Sequence, residues 1–184
     1  MVETHPHVEY RVATVADAEQ IAQLHAASWR RTYRGMYADE FLDGDLIGDR
    51  REVWNDRLTR LPADQFVCVA SADEALAGFV CAYGGEDAVW GSLIDNLHVS
   101  FSFQRTGIGA GLMHEAGAWL SSRFADRGVY LWVFEANDNA RRFYETLGAV
   151  YAETVKRDLS SGGRGSVCRY VWPDPGAMCQ HRPH

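Results

Sequence analysis

The stretch from Ser92 to Phe124 constrains this chain of 184 residues more than any other. Ser92-Leu93-Ile94-Asp95-Asn96-Leu97-His98-Val99 reads as a strand. Gln104-Arg105-Thr106-Gly107-Ile108-Gly109 follows as a glycine-rich loop. From Gly107 to about Phe124, the spacing of Leu112, Ala116 and Leu120 predicts a helix. A strand feeding a glycine-rich turn into a helix builds an anion site. The first N–H groups of a helix have no internal partner, and its dipole places partial positive charge there. Glycines let the backbone come close to a phosphate, and Arg105 adds a charge-assisted donor.

Two common phosphate ligands fit this loop badly. A P-loop needs Lys followed by Ser or Thr after its last glycine, and Ala110-Gly111 stand there. A Rossmann loop needs G-x-G-x-x-G, whereas Gly107, Gly109 and Gly111 are evenly spaced. The next apolar run, Val129 to Val133, also lacks an acidic end before Glu135.

The rest of the chain reads as alternating strands and helices. A strand over Val8–Ala13 precedes Thr14 and Asp17, a helix-capping pair, and a helix toward Tyr33 with Ile21, Leu24 and Ala27 on its buried side. Tyr37 to Leu61 reads as helix in two pieces, broken near Gly44 and Gly48. Phe66–Ser71 and Ala75–Tyr83 read as a hairpin joined at Ala72-Asp73-Glu74, with a further turn at Gly84-Gly85-Glu86-Asp87. After the Gly107 helix come a strand (Val129–Phe134), a helix (Asp138–Leu147) stopped by Gly148, and two strands (Ala149–Leu159, Ser166–Trp172) around Gly162-Gly163. The pattern predicts one α+β layered domain over 8–172, with flexible tails at 1–7 and 173–184.

Bulk chemistry narrows the partners. Net charge is −7, and Lys156 is the only lysine. An acidic chain with scattered arginines is a poor nucleic-acid binder. Cys68, Cys81, Cys168 and Cys179 form no C-x-x-C pair, and the terminal histidines carry no metal-site spacing, so no metal is expected. No apolar run is long enough to span a bilayer. Without a recognisable leader, a reducing cytoplasm is the expected compartment.

At the loop, the sequence resembles the GCN5-related N-acetyltransferase (GNAT) family, in particular a bacterial subgroup acting on small molecules or proteins. That family's loop reads Gln/Arg-x-x-Gly-x-Gly/Ala after a strand ending Leu-x-Val. Leu97-His98-Val99 and Gln104 to Gly109 match in residue and spacing, although Phe101 stands where many members have Pro. A second signature follows in register: Asn137-Asp138-Asn139-Ala140, Phe143-Tyr144, then Leu147-Gly148-Ala149. Ala149 stands where the family often has an aromatic. The likeness covers about residues 8 to 172.

The resemblance implies a mixed, mostly antiparallel sheet of six to seven strands, helices on both faces, and a splay between the fourth and fifth strands. It implies acetyl-CoA as acyl donor and a small-molecule or peptide amine as acceptor. The backbone from Arg105 through Thr106, Gly107, Ile108, Gly109 and Ala110 would hold the pyrophosphate, with Gln104 at the loop's start. Leu97, His98, Val99, Asn137, Ala140 and Phe143 would line the pantetheine arm, and an N–H near Val99 would hold the oxyanion. Tyr144 would protonate the leaving thiolate. Many members carry Glu at the position of Leu93. Asp95, two residues on, shares that face of an unbulged strand and is the candidate base, with His98, Glu135 or a water chain as alternatives. Trp29, Tyr33 and Tyr37 are the candidate acceptor-pocket residues. Arg30, Arg31 and Arg34 read either as a solvated face or as partners for a carboxylate or phosphate. The sequence leaves open the acceptor, the acyl chain and the oligomeric state, although the family often dimerises. The competing readings are an acyl-CoA sensor without turnover and a nucleotide-binding α/β domain.

Overall fold

The computed structural model describes residues 7–72, 75–159 and 163–180. Residues 1–6 of the tail expected at 1–7, the turn residues Asp73 and Glu74, the turn residue Gly162 and the end at 181–184 lie outside the described residues. Within them, β1 (Val8–Val12) leads to a short 3-10 turn (Val15–Asp17) and α1 (Ala18–Thr32). Asp17 accepts from the Thr14 N–H at 2.8 Å, which completes the expected capping pair. α2 (Asp39–Asp43) and α3 (Leu46–Thr59) follow. The break lies at Gly44 alone, because the Asp45 carboxylate caps α3 through the Gly48 N–H at 3.0 Å and draws Gly48 into the helix.

β2 (Gln65–Ala72), β3 (Ala75–Asp87) and β4 (Gly91–Val99) form an antiparallel meander. The turn expected at Gly84 to Asp87 is instead strand. Those glycines make room for packing: a Cβ on Gly84 would sit 2.0 Å from the Phe124 ring. The chain reverses just beyond, where Asp87 accepts from the N–H groups of Val89 and Trp90 at 2.7 and 2.9 Å. Next come α4 (Ile108–Arg123), β5 (Val129–Phe134), α5 (Asp138–Thr146), β6 (Val150–Asp158) and β7 (Arg164–Trp172).

Seven strands make one sheet in the order β1-β2-β3-β4-β5-β7-β6. Only β4 and β5 run parallel. α1 and α3 cover one face, where Ile21, Ala22 and Trp54 meet Val67, Val69 and Phe79. α4 covers the other, setting Leu112, Met113 and Leu120 against Ala70, Val80 and Leu131. Two-sided cover explains why β2 is apolar along its length. Each fully buried Leu or Phe contributes about 1.5–3 kcal/mol. The exposed edge strand β6 carries Glu153, Lys156, Arg157 and Asp158, charges that discourage edge-to-edge pairing.

The flexible tail expected from Pro173 is corrected for 175–179. Pro175–Cys179 form a 3-10 helix against α4, with Pro175 and Met178 buried. Gly117 permits this approach, since a Cβ there would meet Cys179 Sγ at 3.0 Å. Asp174 caps the turn through the Ala177 N–H at 3.0 Å.

Candidate active site

The site begins where two strands part. β4 and β5 pair only from Ser92↔Val129 to Ile94↔Leu131. Beyond Ile94 the fourth and fifth strands splay, as expected. On its other side β4 stays paired with β3 through Gly78↔Val99, and the Ser100 N–H reaches the Ala77 carbonyl at 2.8 Å. Backbone groups alternate along a strand, so Leu97 and Val99 turn their N–H and C=O away from β3 into the gap. A gap lined by strand N–H and C=O groups that have no strand partner accepts an extended chain with amides of its own.

The gap ends at the start of α4. Arg105 (φ 66°) and Gly107 (φ 88°) adopt left-handed conformations on either side of Thr106. Such turns point successive N–H groups at one spot and form an anion-binding hollow. The first intrahelical bond runs from the Gly111 N–H to the Gly107 carbonyl at 3.0 Å, so the N–H groups of Ile108, Gly109 and Ala110 have no helical acceptor. A Cβ on Gly109 would lie 3.2 Å from Phe143 Cζ, which fixes how closely α4 and α5 approach. Gln104 donates weakly to the Val99 carbonyl at 3.4 Å. Two loop side chains face elsewhere: the Thr106 hydroxyl donates to the Phe103 carbonyl at 2.6 Å, and Ile108 is buried in the core. They offer the site only their backbone.

A cleft of about 1160 Å³ joins these features. Leu97, His98, Val99, Gln104, Arg105, Gly107, Gly109, Ala110, Asn137, Ala140, Phe143 and Tyr144 line one part of it, and Trp29, Tyr33, Tyr37 and Asp95 line another. Asn137 caps α5, its Oδ1 accepting from the Ala140 N–H at 3.2 Å. Burial pushes the Tyr144 phenol above its ordinary range. Tyr33 is raised likewise, by burial and by the neighbouring Tyr144 and Tyr37.

The aromatic wall is continuous. Trp29 stacks on Tyr37 at 5.3 Å, and Phe134 at the end of β5 meets Tyr33 at 5.1 Å and Tyr37 at 5.5 Å. Gly35 (φ 77°) turns the chain that carries Tyr37. Arg30 donates to the carbonyls of Leu42 and Gly44 at 2.9 and 3.2 Å. Arg34 pairs with Asp39 and Asp43. Both therefore anchor α2, while the Arg31 guanidinium lies 3.3 Å over the Phe101 ring.

Asp95 sits in a bulge. Cys81 faces Asn96 and Ala82 faces Ile94, which leaves Asp95 without an opposite residue, so β4 does not alternate regularly there. Its Oδ2 accepts from Arg57 Nη1 of α3 at 2.8 Å. His98 lies on the same face of the sheet as α1. Its Nδ1 is 2.8 Å from Ser28 Oγ, and its ring is 4.6 Å from that of His25. Burial, with Arg50 nearby, pushes His98 down to about 4.

Residues 19–149 match the profile of the acetyltransferase (GNAT) family. That covers more than half of the chain. The chain belongs to the GNAT family. It is an acetyltransferase by that membership. No curated protein matches the sequence. Solved structures share the fold. The PaiA N-acetyltransferase of Thermoplasma acidophilum, in complex with coenzyme A, is 19% identical, with TM-score 0.68 over 90% of this chain and 99% of that one. NAA60 of Arabidopsis thaliana, with a bisubstrate analogue, is 20% identical, with TM-score 0.66 over 90% and 97%. An N-acetyltransferase of Staphylococcus aureus Mu50 is 14% identical, with TM-score 0.68 over 92% and 99%.

In this GNAT fold the splay and the α4 N-terminus have a donor set suited to a CoA thioester: backbone amides for the pyrophosphate, and unpaired strand amides for the arm. Among the described residues, no three His, Cys, Asp or Glu side chains cluster to hold a metal. Phe134, Arg57 and Ser28 are cleft or cleft-adjacent residues the sequence did not single out. Only Phe134 left a signal, as the aromatic last residue of its strand.

Proposed function

We propose that this enzyme moves an acetyl group from acetyl-CoA to a primary amine by direct attack through a tetrahedral intermediate. The observation that carries the reading is the splay: the backbone of Leu97 and Val99 faces a gap that runs straight into the turned-in amides of Arg105 to Ala110. The α4 amides would bind pyrophosphate. Leu97, Val99 and Asn137 would align the pantetheine arm, with Ala140 and Phe143 as its apolar flank. The Val99 N–H would stabilise the oxyanion, where each such donor is worth about 10²–10³ in rate. Tyr144, protonated because it is buried, would give its proton to the departing thiolate.

Trp29, Tyr33, Tyr37 and Phe134 would hold the acceptor, and this wall favours an amine attached to an apolar or planar body. The amine could belong to a metabolite or to a peptide N-terminus. Four unpaired cysteines are consistent with a reducing cytoplasm, and no helix among the described residues is long and apolar enough to cross a membrane. For the proton leaving the amine, Asp95 lies in reach of the cleft, but Arg57 already claims its carboxylate.

The test is CoA release from acetyl-CoA across a panel of primary amines, in the wild type and Tyr144→Phe. Turnover greatest on amines with aromatic or branched apolar groups supports the reading. Tight acetyl-CoA binding with no turnover on any amine would instead make the chain an acyl-CoA sensor.

A further inference from the structure

The cleft has a neighbour. A second cavity of about 730 Å³ lies between the outer side of α1 and the start of β3, lined by Gln20, Gln23 and Leu76. The two spaces adjoin along Ser28, Arg31, Thr32, Val99, Phe101 and Gln104, whereas His98 lines the cleft alone. The 2.8 Å contact between Ser28 Oγ and His98 Nδ1 therefore leads from a cleft residue to one on the border of the second cavity. Among the described residues, His98 Nε2 makes no hydrogen bond to protein. His98 directly precedes Val99, whose N–H faces the splay, and its ring stands on the α1 side, where the aromatic wall lies.

We propose that His98 takes the proton of the attacking amine and passes it through Ser28 to water in the second cavity. This rests on the acetyltransfer reading above. One proton of the ammonium first moves to His98 Nε2, which frees the nitrogen lone pair to bond the thioester carbon. The proton on Nδ1 moves to Ser28 Oγ, and the Ser28 hydroxyl proton moves to water. The C–S bond then breaks, the thiolate takes the Tyr144 proton, and the surplus proton on the amide nitrogen returns to the Tyr144 oxygen.

The charge balance favours a relay over storage. An alkylamine resembling a lysine side chain has a pKa of about 10 and arrives as ammonium, so one proton must leave the site per turnover. The surroundings of His98 reject a lasting positive charge. His25 of α1 packs against its ring, Arg50 of α3 is close, and the Asp95 carboxylate is tied to Arg57. A buried imidazole that cannot keep a proton needs an outlet, and Ser28 is in place to be one. His25 is not part of the wire: its Nδ1 accepts from Trp54 Nε1 at 2.9 Å, which puts its proton on Nε2, and that atom is buried without a partner. It buttresses His98 as a neutral ring.

The experiment compares wild type, His98→Gln, Ser28→Ala and Ser28→Thr on the best amine found, with acetyl-CoA affinity measured alongside by calorimetry. His98→Gln should lower kcat/KM about 10²-fold at neutral pH, with acetyl-CoA affinity unchanged and much of the loss recovered as rising pH deprotonates the amine. Ser28 is a positioning residue. Ser28→Ala should lower kcat without raising KM, and should change the pH profile and the solvent deuterium isotope effect. Ser28→Thr should restore both. Wild-type rates in His98→Gln, or a Ser28→Ala profile identical to wild type, overturn the relay. Loss confined to Asp95→Asn, with His98→Gln active, overturns it too. Absence of turnover by the wild type on every amine overturns the acetyltransfer reading itself. If His98→Gln fails to fold, the Ser28 pair decides alone.

Discussion

The mechanism proposed above concentrates the acid step in one hydroxyl, that of Tyr144. Its ring meets Phe143 and Trp172 edge-on at 5.3 and 6.3 Å, so packing holds it in one place. Tyr144→Phe keeps that packing and removes only the proton. We expect kcat to fall about 10²-fold, with acetyl-CoA affinity nearly unchanged, as read by CoA release and calorimetry. Burial raises the phenol pKa, so the acid form persists as pH rises, and the wild-type kcat profile should show no basic limb from this group up to pH about 10. The place of Tyr144 in the cleft was legible in the sequence, because it belongs to a local signature with Asn137 and Ala140. The fate of Asp95 was not. Its bulge and its partner Arg57, 38 positions earlier in the chain, arise from how α3 docks on the sheet, and no local spacing records that. Ser28 was hidden for the same reason: its partner His98 is 70 positions away.

At the scale of elements, the start of α1 anchors the helix that carries Trp29 of the aromatic wall. Asp17 accepts from Arg11 at 2.8 and 2.7 Å and from Thr14, and it is buried. Removing it by Asp17→Ala should cost about 1–2 kcal/mol, visible as a lower Tm. The Arg11 guanidinium holds its carboxyl down to about 2. A carboxylate depressed on folding stabilises above its unfolded pKa of about 4 and loses that contribution as pH falls toward 2. The Tm gap between wild type and Asp17→Ala should therefore be full at pH 6 and shrink below pH 4. The start of α4 is the donor-side counterpart. Gly107 adopts φ 88°, where an L side chain costs about 1–2 kcal/mol, so Gly107→Ala should weaken acetyl-CoA binding about tenfold by calorimetry while Gly111→Gly107 bonding and α4 remain. Helix starts were readable because caps and glycines act within a few residues. The end of β3 was not, because Gly84 answers to Phe124, which the sequence places 40 residues downstream.

The molecule as a whole is a sheet held closed at one end and open at the other. Three residue pairs join β4 to β5, and the rest of the junction is left for a ligand. The order of elements along the chain was legible, because each alternates in its own period. The crossing of β7 between β5 and β6 was not, since register is set by cross-strand packing such as Trp132 beside Arg169. Filling the gap should stabilise the whole sheet, because the backbone groups of Leu97 and Val99 that face it would then gain strand-like partners from the pantetheine amides. A ligand that binds only the folded chain adds about 2.7 kcal/mol at one hundred times its Kd. For a domain of this size each kcal/mol shifts Tm by about 2–4 °C, so saturating acetyl-CoA should raise Tm by about 5–10 °C. NAD and ATP at the same concentration should leave Tm within about 1 °C, given that the loop spacing suits neither. Equal stabilisation by ATP would return the Gln104 to Gly109 loop to a nucleotide site. Stabilisation by acetyl-CoA that survives Gly107→Ala undiminished would move the donor away from the α4 N-terminus.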